Sequence, residues 1–134
     1  MLLLDRMIEH AGEGVVCEKT FREDDPFVED GRISSLVALE LFAQAAAAHF
    51  AYQGWLRGGV MSSGALLGTR RLDLEVPSIG VGERVLVRAT QVLAIPPAAQ
   101  FECTLERASD GTRIAAGSIN VAFGTPPEGA THGA

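Results

Sequence analysis

Cysteine is scarce in this chain: only Cys17 and Cys103 occur among its 134 residues. Two lone cysteines in apolar, strand-like runs read as small buried hydrophobes rather than as a bridge. They cannot build a zinc site without histidines at ligand spacing. Histidine is scattered as well, at His10, His49 and His132, so no metal centre is expected. Long apolar runs are missing. The longest nearly uncharged stretch, residues 41–56, carries Gln44, His49 and Gln53; it is short for a membrane span and suits a buried helix. The opening MLLLDRMIEH has no basic leader and meets charge at Asp5, so a signal peptide is not expected. No basic stripe occurs, and 11 Lys+Arg against 17 Asp+Glu leave a net charge of −6. That balance argues against a nucleic-acid partner. These absences point to a cytoplasmic protein that meets neither membrane nor nucleic acid.

What is present suits one globular domain. Hydrophobic residues make up 47% and charged residues 21%, enough for a core without staples. The domain is expected over residues 1–124. The remaining TPPEGATHGA, residues 125–134, has almost nothing apolar to pack and reads as a flexible tail.

Residues 2–10 and 15–22 read as two strands around the turn Ala11-Gly12-Glu13-Gly14. Residues 23–33 follow as an acidic loop broken by Pro26 and Gly31. Ser34 and Ser35 can cap a helix. From Leu36 to about Gln53 the chain is rich in Ala and Leu with no Gly or Pro, too long for a strand and suited to a helix that Gly54, Gly58 and Gly59 would end. Residues 65–76, 84–95, 100–107 and 112–123 read as four further strands. Val85, Val87, Ala89, Gln91 and Leu93 are expected on one face of the second of these. Turns are expected at 77–82, at Pro96-Pro97 and at Ser109-Asp110-Gly111. The order β-β-α-β-β-β-β gives an α+β fold, one long helix wrapped by an antiparallel sheet. A helix apolar on nearly every side is hard to cover with one small sheet, so a homodimer is expected.

Four stretches carry a resemblance. They are MLLLDRMIEH, Asp25-Pro26-Phe27, the run from Leu39 through Glu40 to Gln44, and LDLEVPSIGVGERVLVRA at 72–89. Together and in order they resemble the hotdog-fold dehydratases that remove water from 3-hydroxyacyl-acyl carrier protein in fatty acid synthesis. The likeness spans nearly all of residues 1–124. The chain departs from that family in the loop before the helix. The family presents a catalytic His there, then Phe-Pro and Pro-Gly. Here the loop reads VEDGRISS, shorter, without His, and with Ser34-Ser35 in place of Pro-Gly. It looks more like a divergent branch found with polyketide-type or aryl-polyene pathways, in which a His-less copy accompanies an active one.

Dehydration of a 3-hydroxyacyl thioester needs a base for the α-proton, an acid for the departing hydroxyl, and donors for the thioester oxygen. The resemblance places Glu40 at the family's acidic residue and Gln44 at a Gln that supports the active-site loop. The helix N-terminus, with Ser35, Leu36 and the backbone of Gly31, is a candidate for the thioester oxygen. Asp30 stands nearest the missing His and is a weaker candidate base; a solvated loop acid is the plainer reading. For Glu40 the alternative is a structural carboxylate paired with an arginine such as Arg70 or Arg71. His49 reads as a core or interface histidine, and His10 and His132 as exposed. Arg70-Arg71 reads as a surface pair or as a greeter for phosphopantetheine.

Three functions stay open. The first is a dehydratase-like lyase on 3-hydroxyacyl thioesters, weakly active alone. The second is an acyl thioesterase using Asp30 or Glu40. The third is a non-catalytic hotdog subunit or acyl-binding partner of a His-bearing dehydratase. In each case no cofactor is bound, and the substrate rides on phosphopantetheine, of an acyl carrier protein, or on coenzyme A.

Overall fold

A computed structural model describes residues 3–56, 58 and 63–124. Its strands are β1 (Arg6–Ala11), β2 (Gly14–Thr20), β3 (Val28–Glu29), β4 (Arg32–Ser34), β5 (Ser63–Leu74), β6 (Ser78–Gly80), β7 (Arg84–Ile95), β8 (Ala98–Arg107) and β9 (Arg113–Gly124), with one helix, α1 (Val37–Leu56). Six strands form one antiparallel sheet in the order β1-β2-β7-β8-β9-β5. The expected strands and helix are therefore all present, and α1 packs against β2, β5, β7, β8 and β9. The expected tail at 125–134 lies outside the described residues.

The packing follows from two periodicities. On α1, Ala38, Leu41, Phe42, Ala45, Ala46 and His49 are buried, a stripe repeating at helical spacing. On the strands every second residue turns inward: Val85, Val87 and Ala89 on β7, and Phe101, Cys103 and Leu105 on β8, are almost fully buried. Both cysteines are free and buried, and burial pushes the Cys17 thiol up to about 11 and the Cys103 thiol to about 12. They act as small hydrophobes, as expected. On the first hairpin, Glu18 of β2 is held by Arg6 of β1 and Arg84 of β7, and these hydrogen bonds keep its carboxyl below the usual range.

The structure corrects the sequence reading at four places. The helix does not stop at Gly54 but runs through it to Leu56, because Gly54 is buried there and tertiary packing outweighs its low propensity. The loop at 23–33 and the turn at 77–82 contain three short strands, which pair as a second sheet, β3-β4-β6. They are too short for an alternation to show. The first strand begins at Arg6, while Leu3 and Leu4 are buried ahead of it. Leu93 does not share the inner face of β7. The register shifts between Gln91 and Leu93, so Val92 is a bulge residue and Leu93 emerges on the outer face, 53% exposed.

At Gly117 of β9 the packing leaves no room for a side chain. A Cβ there would stand 2.7 Å from the Arg71 carbonyl oxygen and 3.3 Å from Cε2 of Phe42. The first contact is with backbone, which cannot swing aside. Gly117→Ala is therefore expected to lower stability by roughly 1–3 kcal/mol through overpacking, read as a fall in the urea midpoint at constant slope.

Candidate active site

The site is built where the small sheet meets the start of α1. β3 and β4 form a two-residue hairpin, pairing Glu29 with Arg32. Asp30 and Gly31 at its tip have φ of +52° and +74°, the pattern of a type I′ turn, which favours Asp-Gly. Asp30 is exposed and shapes the turn. The Gly31 carbonyl accepts a hydrogen bond from the Val81 amide at 2.9 Å, which ties the hairpin tip down beside β6.

The lead-in to this hairpin is clamped. Lys19, a buried ammonium on β2, donates to Asp25 at 2.8 Å, and the Arg22 amide donates to the same carboxylate at 2.7 Å. Burial opposes ionisation of Asp25, yet these bonds hold its carboxyl below the usual range. Two residues on, Phe27 has φ +72° and is 64% exposed. A bulky residue in this backbone region is strained. The strain presents its ring to a cleft of about 250 Å³ lined also by Ile33, Ser34, Leu36, Val37 and Glu40. No sequence signal apart from the preceding Pro26 marked that conformation.

At the helix start, the Leu36 amide donates to Ser34 Oγ at 3.2 Å, and the Ser35 amide donates to the Pro77 carbonyl at 3.0 Å. Ser34 thus supplies the side-chain cap. Ser35 is fully buried and is not among the cleft-lining residues, whereas Leu36 is 61% exposed at its wall.

Glu40 follows one turn later. On the single chain it is exposed, and neither Arg70 nor Arg71, the arginines named as its structural partners, pairs with it. It lies between the cleft under Phe27 and a second of about 240 Å³, lined by Ala43, Gln44, Ala47, Phe50, Leu66 and Val121. Gln44 Nε2 donates to Glu40 Oε1 at 3.1 Å. Gln44 Oε1 in turn accepts from the amides of Leu3 at 2.8 Å and Leu4 at 3.2 Å. Gln44 was expected to hold the active-site loop. Its hydrogen bonds to Leu3 and Leu4 hold the N-terminal segment, and through its other end it orients Glu40. The structure thus joins Glu40, Gln44, Leu36 and Phe27 around one open apolar surface. Asp30 and Gly31 line neither of its two clefts.

The two histidines among the described residues stand elsewhere; His132 lies outside them. Nine residues past Glu40, His49 is roughly 13 Å further along the helix axis and half a turn round it. It is fully buried, edge-on to Phe101, with Nδ1 3.0 Å from His10 Nε2. His10 was expected to be exposed, but it is half-buried, stacked on His49 and tilted against Tyr52. Burial first, and the neighbouring His10 second, push His49 down to about 4. Glu13 Oε2, at 4.0 Å from His49 Nε2, is too far to hydrogen-bond.

A family model described as "ApeP-like: ApeP dehydratase" matches residues 1–131. The chain is similar to the structure of the dehydratase heterocomplex ApeI:P from Xenorhabdus doucetiae, with a TM-score of 0.85 and 26% identity over 95% of this chain and 84% of that one. It is similar also to smu.793 from Streptococcus mutans bound to acetyl CoA, with a TM-score of 0.69 and 12% identity over 90% and 88% of the two chains. Zebra fish thioesterase superfamily member 2 gives a TM-score of 0.68 and 19% identity over 88% and 80%. No curated protein matches. With one helix held against a large antiparallel sheet, the fold is the hotdog fold.

Two outcomes are expected. Gln44→Met removes the acceptor for two amides, so hydrogen exchange at Leu3 and Leu4 should accelerate and stability fall by about 1–3 kcal/mol. For His49, the unfolded chain takes up a proton below about pH 6.5 that the folded chain refuses until about pH 4. Stability is therefore full above pH 6.5 and declines as pH falls through that window. Urea titrations from pH 7.5 to 4.5 should show the decline, and His49→Phe should flatten it.

Proposed function

The chain belongs to the ApeP-like dehydratase family, and from that premise we propose that it acts on 3-hydroxyacyl thioesters as one half of a dehydratase pair. Glu40 is the acid that protonates the departing β-hydroxyl. The base that takes the α-proton is a His on a second hotdog subunit. The observation that carries this reading is the distribution of groups around the cleft. Glu40 is held by Gln44 at an open apolar surface, while His10 and His49 pair with each other at the far end of the helix. An acid in place, with no histidine beside it among the described residues, is half of a catalytic constellation.

The substrate rides on phosphopantetheine or coenzyme A, with its acyl group along the Ala43–Ala47 side of the helix. Its thioester oxygen lies at the helix N-terminus near Leu36, where the helix dipole favours negative charge. The heterocomplex named for ApeI:P supports a two-subunit reading. So does the long strand β5, at the outer edge of the sheet and twelve residues in length, which offers a ladder to a second hotdog subunit or a second copy of this chain. An acyl carrier protein delivers the substrate, and the pathway is a fatty acid or polyketide-type synthesis.

The test is hydration of an enoyl thioester by the chain alone and with a His-bearing hotdog partner. The chain alone should turn over slowly and the pair fast, and Glu40→Gln in the pair should cost about 10²–10⁴-fold in kcat. Fast turnover by the chain alone that survives Glu40→Gln and collapses with Asp30→Asn would make Asp30 the base and overturn the assignment.

A further inference from the structure

On the sheet face away from α1, one row of outward residues crosses four strands. Leu93 of β7 stands opposite Gln100 of β8, Gln100 opposite Asn120 of β9, and Asn120 opposite Gly68 of β5. Strand spacing makes this row roughly 14 Å long. Gly68 adds no side chain, and nothing lies within 4 Å of where its Cβ would be, so the row ends in a hollow. Two bulges flank that glycine, since the β5 register shifts between Leu66 and Gly68 and again between Thr69 and Arg71. The extra residues are Leu67 and Arg70, and both line the hollow. Bulges re-aim side chains in this way. The result is a groove of about 330 Å³, within the size range of small-molecule sites.

The groove is polarised along its length. Leu93 and Ile95 at the β7 end are 53% and 67% exposed, an apolar floor without a cover. The Gln100 and Asn120 amides lie midway. Arg70 stands at the β5 end. Among the described residues every other arginine, and Lys19, has a carboxylate partner or, for Arg32, the Ser78 hydroxyl and carbonyl. Arg70 alone has none.

We propose that this groove binds a small amphiphilic carboxylate, an acid with a medium-length alkyl or arylalkyl body. Its head forms the fork-to-fork pair with Arg70 that guanidinium geometry favours. Its body crosses Asn120 and Gln100 to cover Leu93 and Ile95. The groove lies across the sheet from the Glu40 cleft, so it is a second site and not an extension of the first.

The probe is octanoate, with octanol as its uncharged counterpart, followed by calorimetry and amide chemical shifts. Octanoate should bind saturably at one site and at least about tenfold more tightly than octanol. Shifts should centre on Leu93, Gln100 and Asn120. Arg70→Gln and Leu93→Ser, both at exposed positions, should each weaken octanoate about tenfold. Equal binding of octanol, indifference to Arg70→Gln, or shifts confined to Phe27, Leu36 and Ala43 would overturn the proposal. So would a change in mass by light scattering in the variants without ligand, which would make the groove an interface between copies.

Discussion

The structure rests on the burial of a helix that has almost no polar side to offer water. α1 carries one carboxylate, Glu40, and no lysine or arginine. Such a helix is stable only inside a cover, because an isolated helix gains too little from its own hydrogen bonds. The six-stranded sheet supplies the cover, and small residues set how close it can come. Ala38, Ala45 and Ala46 keep the buried stripe of the helix low, and Gly117 keeps β9 flat where Phe42 presses against it. The side left uncovered is the one that holds Glu40, Ala43, Gln44 and Ala47. The chemistry is thus placed by default on the stripe that the sheet cannot reach.

That placement explains why the polar groups at the site are tied to one another. The backbone of Leu3 and Leu4, the Gln44 amide and the Glu40 carboxylate form a relay of hydrogen bonds. An amide can serve here because it offers an acceptor at one end and donors at the other. The Lys19–Asp25 pair does similar work for the segment that presents Phe27. Rigid attachment of exposed groups is what a site on an open surface requires before a partner closes over it.

The fold was legible in the sequence wherever a pattern ran long enough. The alternation in residues 100–107 and the length of the Ala-rich run each admit one reading. The three two- and three-residue strands were not legible, because a period of two cannot show in so few residues. Leu93 was misplaced because a bulge adds one residue without marking the sequence, and every side chain beyond it changes face. Of the site, the Glu40 position was legible through resemblance, and its contact with Gln44 through helical spacing. The exposure of Glu40 was not, since burial depends on what lies opposite the helix. The pairing of His10 with His49 was likewise hidden, as it joins a strand end to a helix 39 residues away.

The two bulges in β5 have a consequence for assembly. Between Leu66 and Leu74 that strand uses nine residues to follow the seven of β9 from Val121 to Ala115. The surplus cannot stay flat; it must coil the strand more strongly than its neighbour. A straight, untwisted segment from an unrelated or misfolded chain would lose register within a few residues of docking there. A strand already curved to the same degree could follow it from end to end. Local irregularity thus turns an otherwise sticky border into one that discriminates by curvature.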